Sequence, residues 1–269
     1  AESKNRAPSV PTKDKDSKEK SGVKENISDH NIIMEFDKQS KLEEMNFIIK
    51  ANENDNKIVI YVDSDEAKNK QKVFDRIIKF NPSTHGISAF LKNIATVNTG
   101  KVLYVSGGEL SPGVSSDLFF MYNPILHSLQ RRDNMPTPKH SHSLVFSNDI
   151  IYSVGGYKTN TCEKFDIKTS KWTKLSSLNS EERSRPVLYV YNGFLYSFFG
   201  YSGGDYMNSV ERLNIKSVKS KWEYVPFNSP SDIELGRIGS GIIPTKDGIY
   251  IVAGKNKEVL NSVLMFDFK

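Results

Sequence analysis

The chain has 269 residues, 37% of them hydrophobic and 26% charged, with 37 Lys plus Arg against 32 Asp plus Glu and a single cysteine. That balance describes a globular protein able to bury a core and excludes a chain that is disordered throughout. It lacks an apolar run near the ~18 residues of a membrane-spanning helix, and one cysteine, Cys162, excludes an intrachain disulfide framework and suits a reducing compartment.

Residues 1–28 hold seven basic and five acidic side chains and almost no large apolar ones. Such a segment buries too little surface to offset its ordering entropy, so it is expected to be a disordered tail or linker. It has no apolar centre of a secretory signal, and the first residue is Ala rather than Met, which suggests that something upstream has been removed. Without this tail the excess of positive charge is small, and neither a basic stripe nor a reading module marks a nucleic-acid binder.

Residues 29–269 repeat. Apolar runs around a tyrosine end in glycine at VLYVSGG (102–108), IIYSVGG (150–156), FLYSFFG (194–200) and GIYIVAG (248–254), and IVIYVDS (58–64) keeps the strand but not the glycines. The tyrosines Tyr61, Tyr104, Tyr152, Tyr196 and Tyr250 are 43, 48, 44 and 54 residues apart. Turn signals precede them at Asp55-Asn56, Thr99-Gly100, Asn148-Asp149, Asn192-Gly193 and Asp247-Gly248, with a second apolar run before each turn, so each pair is predicted to be a β-hairpin. A second signature follows: an aromatic or apolar residue, then Asp or Asn, then Trp or another apolar residue about seven positions on. It reads FNPSTHGI (80–87), YNPILHSL (122–129), FDIKTSKW (165–172) and LNIKSVKSKW (213–222), with a looser copy from Phe36 and a last copy from Phe266.

The unit is two hairpins, four short strands in roughly 45 residues, a period that fits a propeller or a solenoid. Nothing in residues 29–269 reads as a long amphipathic helix, and the fold class is all-β. This chain resembles the kelch motif of β-propeller proteins, most closely at 139–172, with Lys139 where the family often has Arg, His142, the doublet Gly155-Gly156 and Trp172. The resemblance implies a kelch-type propeller of four-stranded antiparallel blades. Five or six blades are expected, with closure or an incomplete blade at the chain ends, and residues 31–47 are a candidate to complete the last one.

The repeated tyrosines, tryptophans and glycines are expected to pack between blades. Function is then expected in loops that do not repeat. The loops after the glycines carry Tyr157, Tyr201 and Tyr206 among Ser, Gly and Asn, a composition suited to contacting protein or peptide, or simply to solvated turns. The loops entering each first strand carry Arg183, Arg185, Arg237 and His140. The resemblance implies that the leading Arg of RIGSGII (237–243) points to the central opening, and Arg185 is read as its equivalent, with two extra residues allowed in the turn from Pro244 to Gly248. There the guanidinium groups would pair with carboxylate or phosphate, or else form salt bridges to nearby Asp or Glu.

His140 and His142 make a weak H-x-H metal signal without a third ligand, so neither metal nor cofactor is expected. No catalytic motif for acyl or phosphoryl transfer stands in the sequence. The chain is therefore expected to be a non-enzymatic interaction platform, cytoplasmic and in some settings cytoskeleton-associated. The family suggests a ubiquitin-ligase component, a cytoskeletal scaffold or a subunit of a larger complex, binding a protein partner, including an acidic peptide segment. The alternative is a carbohydrate-active or metal-dependent kelch enzyme, or a sugar-binding propeller.

Overall fold

A computed structural model describes residues 46–52, 57–63, 76–80, 91–126, 128–229 and 233–269. By internal contacts the chain divides into residues 1–41 and 42–269, and every described element belongs to the second unit. The tail expected at 1–28 and most of the segment 31–47 lie outside the described residues.

Among the described residues five antiparallel sheets follow one another along the chain, each laid down in sequence order. The first holds β1 (Asn46–Asn52), β2 (Lys57–Asp63) and β3 (Arg76–Phe80). The second holds β4 (Ala95–Asn98), β5 (Leu103–Ser106), β8 (Phe119–Asn123) and β9 (Ser128–Arg131), with a ribbon of β6 (Glu109–Ser111) and β7 (Val114–Ser115) between its middle strands. The third is β10 (Ser143–Ser147), β11 (Ile150–Val154), β12 (Cys162–Asp166) and β13 (Lys171–Lys174). The fourth is β14 (Val187–Tyr191), β15 (Phe194–Phe198), β18 (Val210–Asn214) and β19 (Glu223–Tyr224), with its own ribbon of β16 (Tyr201–Ser202) and β17 (Asp205–Tyr206). The fifth has three strands, β20 (Gly241–Pro244), β21 (Gly248–Val252) and β22 (Val263–Asp267). Among the described residues there is no helix, and the architecture is that of an all-β propeller of antiparallel blades.

Both signatures of the repeat have a physical cause here. The second strands of the second, third and fourth sheets are covered on both faces, which is why LYVS, IIYSV and FLYSF read as nearly continuous apolar runs, whereas the outer strand KWTK is mostly exposed. The Asp or Asn after the aromatic residue holds the next turn. Asp166 Oδ1 accepts from the backbone N–H of Lys168 (2.8 Å) and Thr169, Asn123 Oδ1 does the same for Ile125 (2.9 Å) and Leu126, and Asn214 Oδ1 for Lys216. Asn148-Asp149 and Asn192-Gly193 both take the positive φ of a two-residue hairpin turn, 51° and 62° in the first and 46° and 80° in the second.

The last hairpin corrects one expectation. Pro244 pairs with Ile249, so its turn centres on Lys246-Asp247 and has no extra residues. Val252 pairs with Gly241 as Phe198 pairs with Val187, and counting outward makes Arg183, not Arg185, the equivalent of Arg237.

Blades are joined by aromatic packing and by backbone. Trp172 lies edge-on to Phe119 of the preceding blade (4.9 Å), and its indole N–H donates to Asp133 O (2.9 Å). Trp222 repeats this one blade on, donating to Ser176 O (2.9 Å) within a core of Tyr152, Val154, Cys162, Leu188, Leu195 and Leu213. At the doublets the backbone of one blade meets the loop that enters the next. A Cβ added at Gly155 would stand 2.2 Å from Arg183 O, and Gly156 N–H donates to that same oxygen at 2.9 Å.

Candidate interaction face

The loops that enter the first strands place two kinds of residue two positions apart. Lys139, Arg183 and Arg237 each offer a backbone carbonyl to the preceding blade, accepting from Gly108 (2.8 Å), Gly156 (2.9 Å) and Gly200 (3.0 Å). Each side chain then turns into its own blade, with 0% exposure. Lys139 forms an ion pair with Glu163 and donates to Thr161 O at 2.7 Å. Arg183 Nη2 meets Glu211 Oε1 at 2.7 Å and Ser209 Oγ at 2.8 Å, while Nη1 donates to Phe199 O at 2.7 Å. Among the described residues Arg237 has no such carboxylate partner. Its guanidinium donates to the carbonyls of Leu235 (3.0 Å), Ala253 (3.1 Å) and Glu234 (3.1 Å).

Strand register explains the difference. Glu163 and Glu211 occupy equivalent places opposite Ser153 and Ser197, and Leu264 takes that place opposite Ile251 in the fifth sheet. Burial lowers the pKa of the Lys139 ammonium and the Arg183 guanidinium, and the adjacent Glu163 and Glu211 oppose that shift. These are charges a partner does not reach, so the expectation that Arg183 and Arg237 bind a partner at the opening is corrected. The signal available in the sequence for this burial was an acidic residue at the second position of two third strands, Glu163 in CEKFD and Glu211 in VERLN.

Two residues further on, the chain faces solvent. Asn93, Ser141, Arg185 and Gly239 are equivalent, and all four have positive φ, at 53°, 54°, 48° and 68°. Ser141 N–H donates to Asn93 O (2.9 Å) and Arg185 N–H to Ser141 O (2.7 Å), linking the entering loops around a central cavity of about 320 Å³. Asn93, His142, Arg185 and Ser240 are among its lining residues. Arg185 is exposed, and its Nη2 donates to Asn93 Oδ1 at 2.6 Å. Asn93 in turn donates to Glu109 Oε2 (3.2 Å), and Gly113 N–H to Glu109 Oε1 (2.9 Å). The Gly113 N–H is the main cause that holds the Glu109 carboxyl below its ordinary value.

The tyrosines stand on two loops next to the entering loops: Tyr157 N–H donates to His140 O, and Tyr201 pairs with Ser184. Tyr157 is 40% exposed and its ring lies tilted against the buried His140, with centroids 5.0 Å apart. His140 also meets Ser115 Oγ through Nδ1 at 2.8 Å, so it backs the Tyr157 ring rather than meeting solvent; its expected role as a contact residue is corrected to that of support. Tyr201 and Tyr206 face each other across the β16–β17 ribbon at 5.2 Å. Glu182, which sequence reasoning passed over, accepts from Lys158 N–H (2.6 Å) and Gly203 N–H (2.7 Å) and so ties the Tyr157 loop to that ribbon.

The two histidines of the H-x-H pair go different ways. His142 Nε2 meets Ser106 Oγ at 2.7 Å, and its burial, followed by the nearby Lys139 and His140, holds the imidazole well below its usual pKa. Burial also pushes the Cys162 thiol up to about 12, the opposite of a reactive cysteine. Among the described residues no three His, Cys, Asp or Glu side chains group so as to hold a metal ion, and no helix is long and apolar enough to cross a membrane.

Comparison with known proteins agrees with this geometry. Residues 93–269 match the family model of the KLHDC2/KLHL20/DRC7 Kelch-repeats domain. Kelch repeat protein C2 of camelpox virus is 29% identical over 194 residues, 67% of this chain and 35% of that protein. An F-box/kelch-repeat protein of Arabidopsis thaliana is 31% identical over 110 residues, 39% of this chain and 26% of that one. Alpha-scruin of Limulus polyphemus is 25% identical over 166 residues, 55% of this chain and 17% of its own. The aligned part is thus about a third or less of each of these relatives. With the glycine-to-carbonyl joints, the turn-holding Asp and Asn and the inter-blade tryptophans in place, and with the family model covering most of the chain, the protein belongs to the kelch-repeat family.

Proposed function

We propose that this propeller is a non-enzymatic platform for a protein partner, used through the face that carries Arg185, Tyr157, Tyr201 and Tyr206. One observation carries the reading: cations equivalent in the repeat are sealed inside the blades, while Arg185 alone among the four equivalent loop positions is a cation held at the opening. Among the described residues its guanidinium has one neutral partner, Asn93, and so keeps donors for a carboxylate. The tyrosines on the neighbouring loops supply rigid aromatic area, and Glu182 already ties those loops together, which lowers the ordering cost of binding.

The partner segment is acidic in this reading. The names of the relatives, an F-box/kelch-repeat protein among them, support a place in a larger assembly, with a ubiquitin-ligase component or a cytoskeletal protein as the partner. The lone, buried Cys162 suits a cytoplasmic setting. The test is a pull-down from native extract with the wild-type protein and with Arg185→Glu combined with Tyr157→Ser, each checked by circular dichroism. Loss of the captured partners with an unchanged spectrum supports the face; an unchanged partner set discards it.

A further inference from the structure

In an antiparallel meander the connections alternate between two ends of the strands. The loops that enter the first strands, Arg185 among them, stand at one end. The turns between first and second strands and between third and fourth stand at the other. There the backbone ties them in pairs: Ile167 N–H donates to Asp149 O (3.0 Å), Ile215 N–H to Gly193 O (3.0 Å) and Phe268 N–H to Asp247 O (3.3 Å). This second end carries an excess of one charge. Lys171, Lys216, Lys219, Lys221 and Lys246 are exposed, and among the described residues no carboxylate lies within ion-pair distance of any of them. The aspartates of these turns are already engaged: Asp149 pairs with Lys168 (2.8 Å), Asp247 with Lys269 (2.8 Å), and Asp166 accepts from the backbone of its own turn.

A second observation at the same end is apolar. Val218 is 102% exposed in a turn that Ser220 N–H closes on Ser217 O (3.3 Å), and Lys216, Lys219 and Lys221 flank it in the chain. The Lys216 stem lies over Gly193, where an added Cβ would collide with it, so this turn is braced against the neighbouring hairpin turn. At the equivalent turn of the second sheet Ile125 and Leu126 are 48% and 56% exposed, held in place by Asn123 Oδ1. One exposed aliphatic residue is ordinary; here three stand on turn tips at the end that has the lysine excess. These turns contain no arginine fork for phosphate and no aromatic ring for a base to stack on, at 99–101, 124–126, 148–149, 166–171, 192–193, 214–221 and 245–248. Aliphatic tips between lysines suit a lipid–water interface, which takes the tips among its headgroups and the ammonium groups beside its anions.

We propose that the propeller rests this end on an anionic membrane surface, with Val218, Ile125 and Leu126 entering the headgroup layer and Lys216, Lys219 and Lys221 set against acidic lipid headgroups. The contact is peripheral and uses preformed turns, so little of the chain has to be ordered on binding. It leaves the Arg185 face, at the other end of the blades, open to a protein partner.

Flotation of the full chain with vesicles tests this, using phosphatidylcholine alone and phosphatidylcholine with about a third phosphatidylserine. Binding to the phosphatidylserine vesicles only, weakened by added salt, is the expected result. Reversing the charges together, as Lys216→Glu, Lys219→Glu and Lys221→Glu, is expected to weaken that binding on the order of 100-fold, at about fivefold or more per lysine. Val218→Asp, with the lysines intact, is expected to weaken it as well. Both variants should melt as the wild type does, since these side chains are exposed. Absence of binding to the acidic vesicles overturns the proposal, and so does binding that survives the triple reversal, which would place the contact elsewhere in the chain. Capture of a single-stranded RNA in place of the vesicles would assign the lysines to a different polyanion and overturns it too. Arg185→Glu is expected to bind vesicles as the wild type does, so failure of the partner face and failure of this contact are read separately.

Discussion

Arg183 and Arg185 stand two residues apart in one loop and belong to different regions of the molecule. Arg183 lies in the floor beneath the loops, sealed from water and satisfied by Glu211, Ser209 and Phe199. Arg185 lies on the rim, exposed, with Asn93 as its partner. The same pairing of floor and rim recurs as Lys139 with Ser141 and Arg237 with Gly239, so the floor repeats and the rim does not. A repeated cation is therefore a packing device, and a cation that appears once in the equivalent rim positions is where a partner is to be sought.

Breaking the floor gives the largest effects. Glu211→Leu leaves the Arg183 guanidinium buried without its counter-charge and is expected to cost about 3–5 kcal/mol in denaturant unfolding. Adding Arg183→Met is expected to restore much of that loss, because the desolvated charge is then gone. Trp222→Ala removes a 3%-exposed indole from the junction of the third and fourth blades and is expected to cost roughly 3–5 kcal/mol. Trp172→Ala is expected to cost less, since that indole is only partly buried. Equal midpoints for the two tryptophan variants would contradict the assigned packing.

Acid sharpens the contrast. His142 is neutral in the folded protein because burial lowers its pKa, whereas an unfolded histidine titrates near about 6.5. The unfolded state then binds more protons, so this contribution is complete above about pH 6.5 and is lost as pH falls below it. His142→Gln is expected to flatten stability against pH in that window. Replacing the rim residue should do least to the fold: Arg185→Glu is expected to shift stability by less than about 0.5 kcal/mol.

The period, the hairpins and the inter-blade aromatics were legible because each repeated residue has a local cause: Asp166 and Asn123 hold turns, and Gly155 clears a path for the Arg183 carbonyl. The fate of the arginines was not. Whether a cation faces the axis or the blade depends on a two-residue shift in register, and the sequence offered an imaginary insertion near Pro244 that the pairing of Pro244 with Ile249 removes. Its decisive partner, Glu211, lies 28 residues from Arg183 along the chain, beyond any local pattern. His140 misled for a related reason, since its burial comes from Tyr157 and Ser115 on two different loops.

The claim that the rim and not the floor meets the partner is tested most directly by charge reversal at Arg185 alone, with partner capture and thermal unfolding measured on the same preparation. The account predicts capture lost with an unchanged melting temperature. Capture retained by a folded Arg185→Glu protein would contradict it.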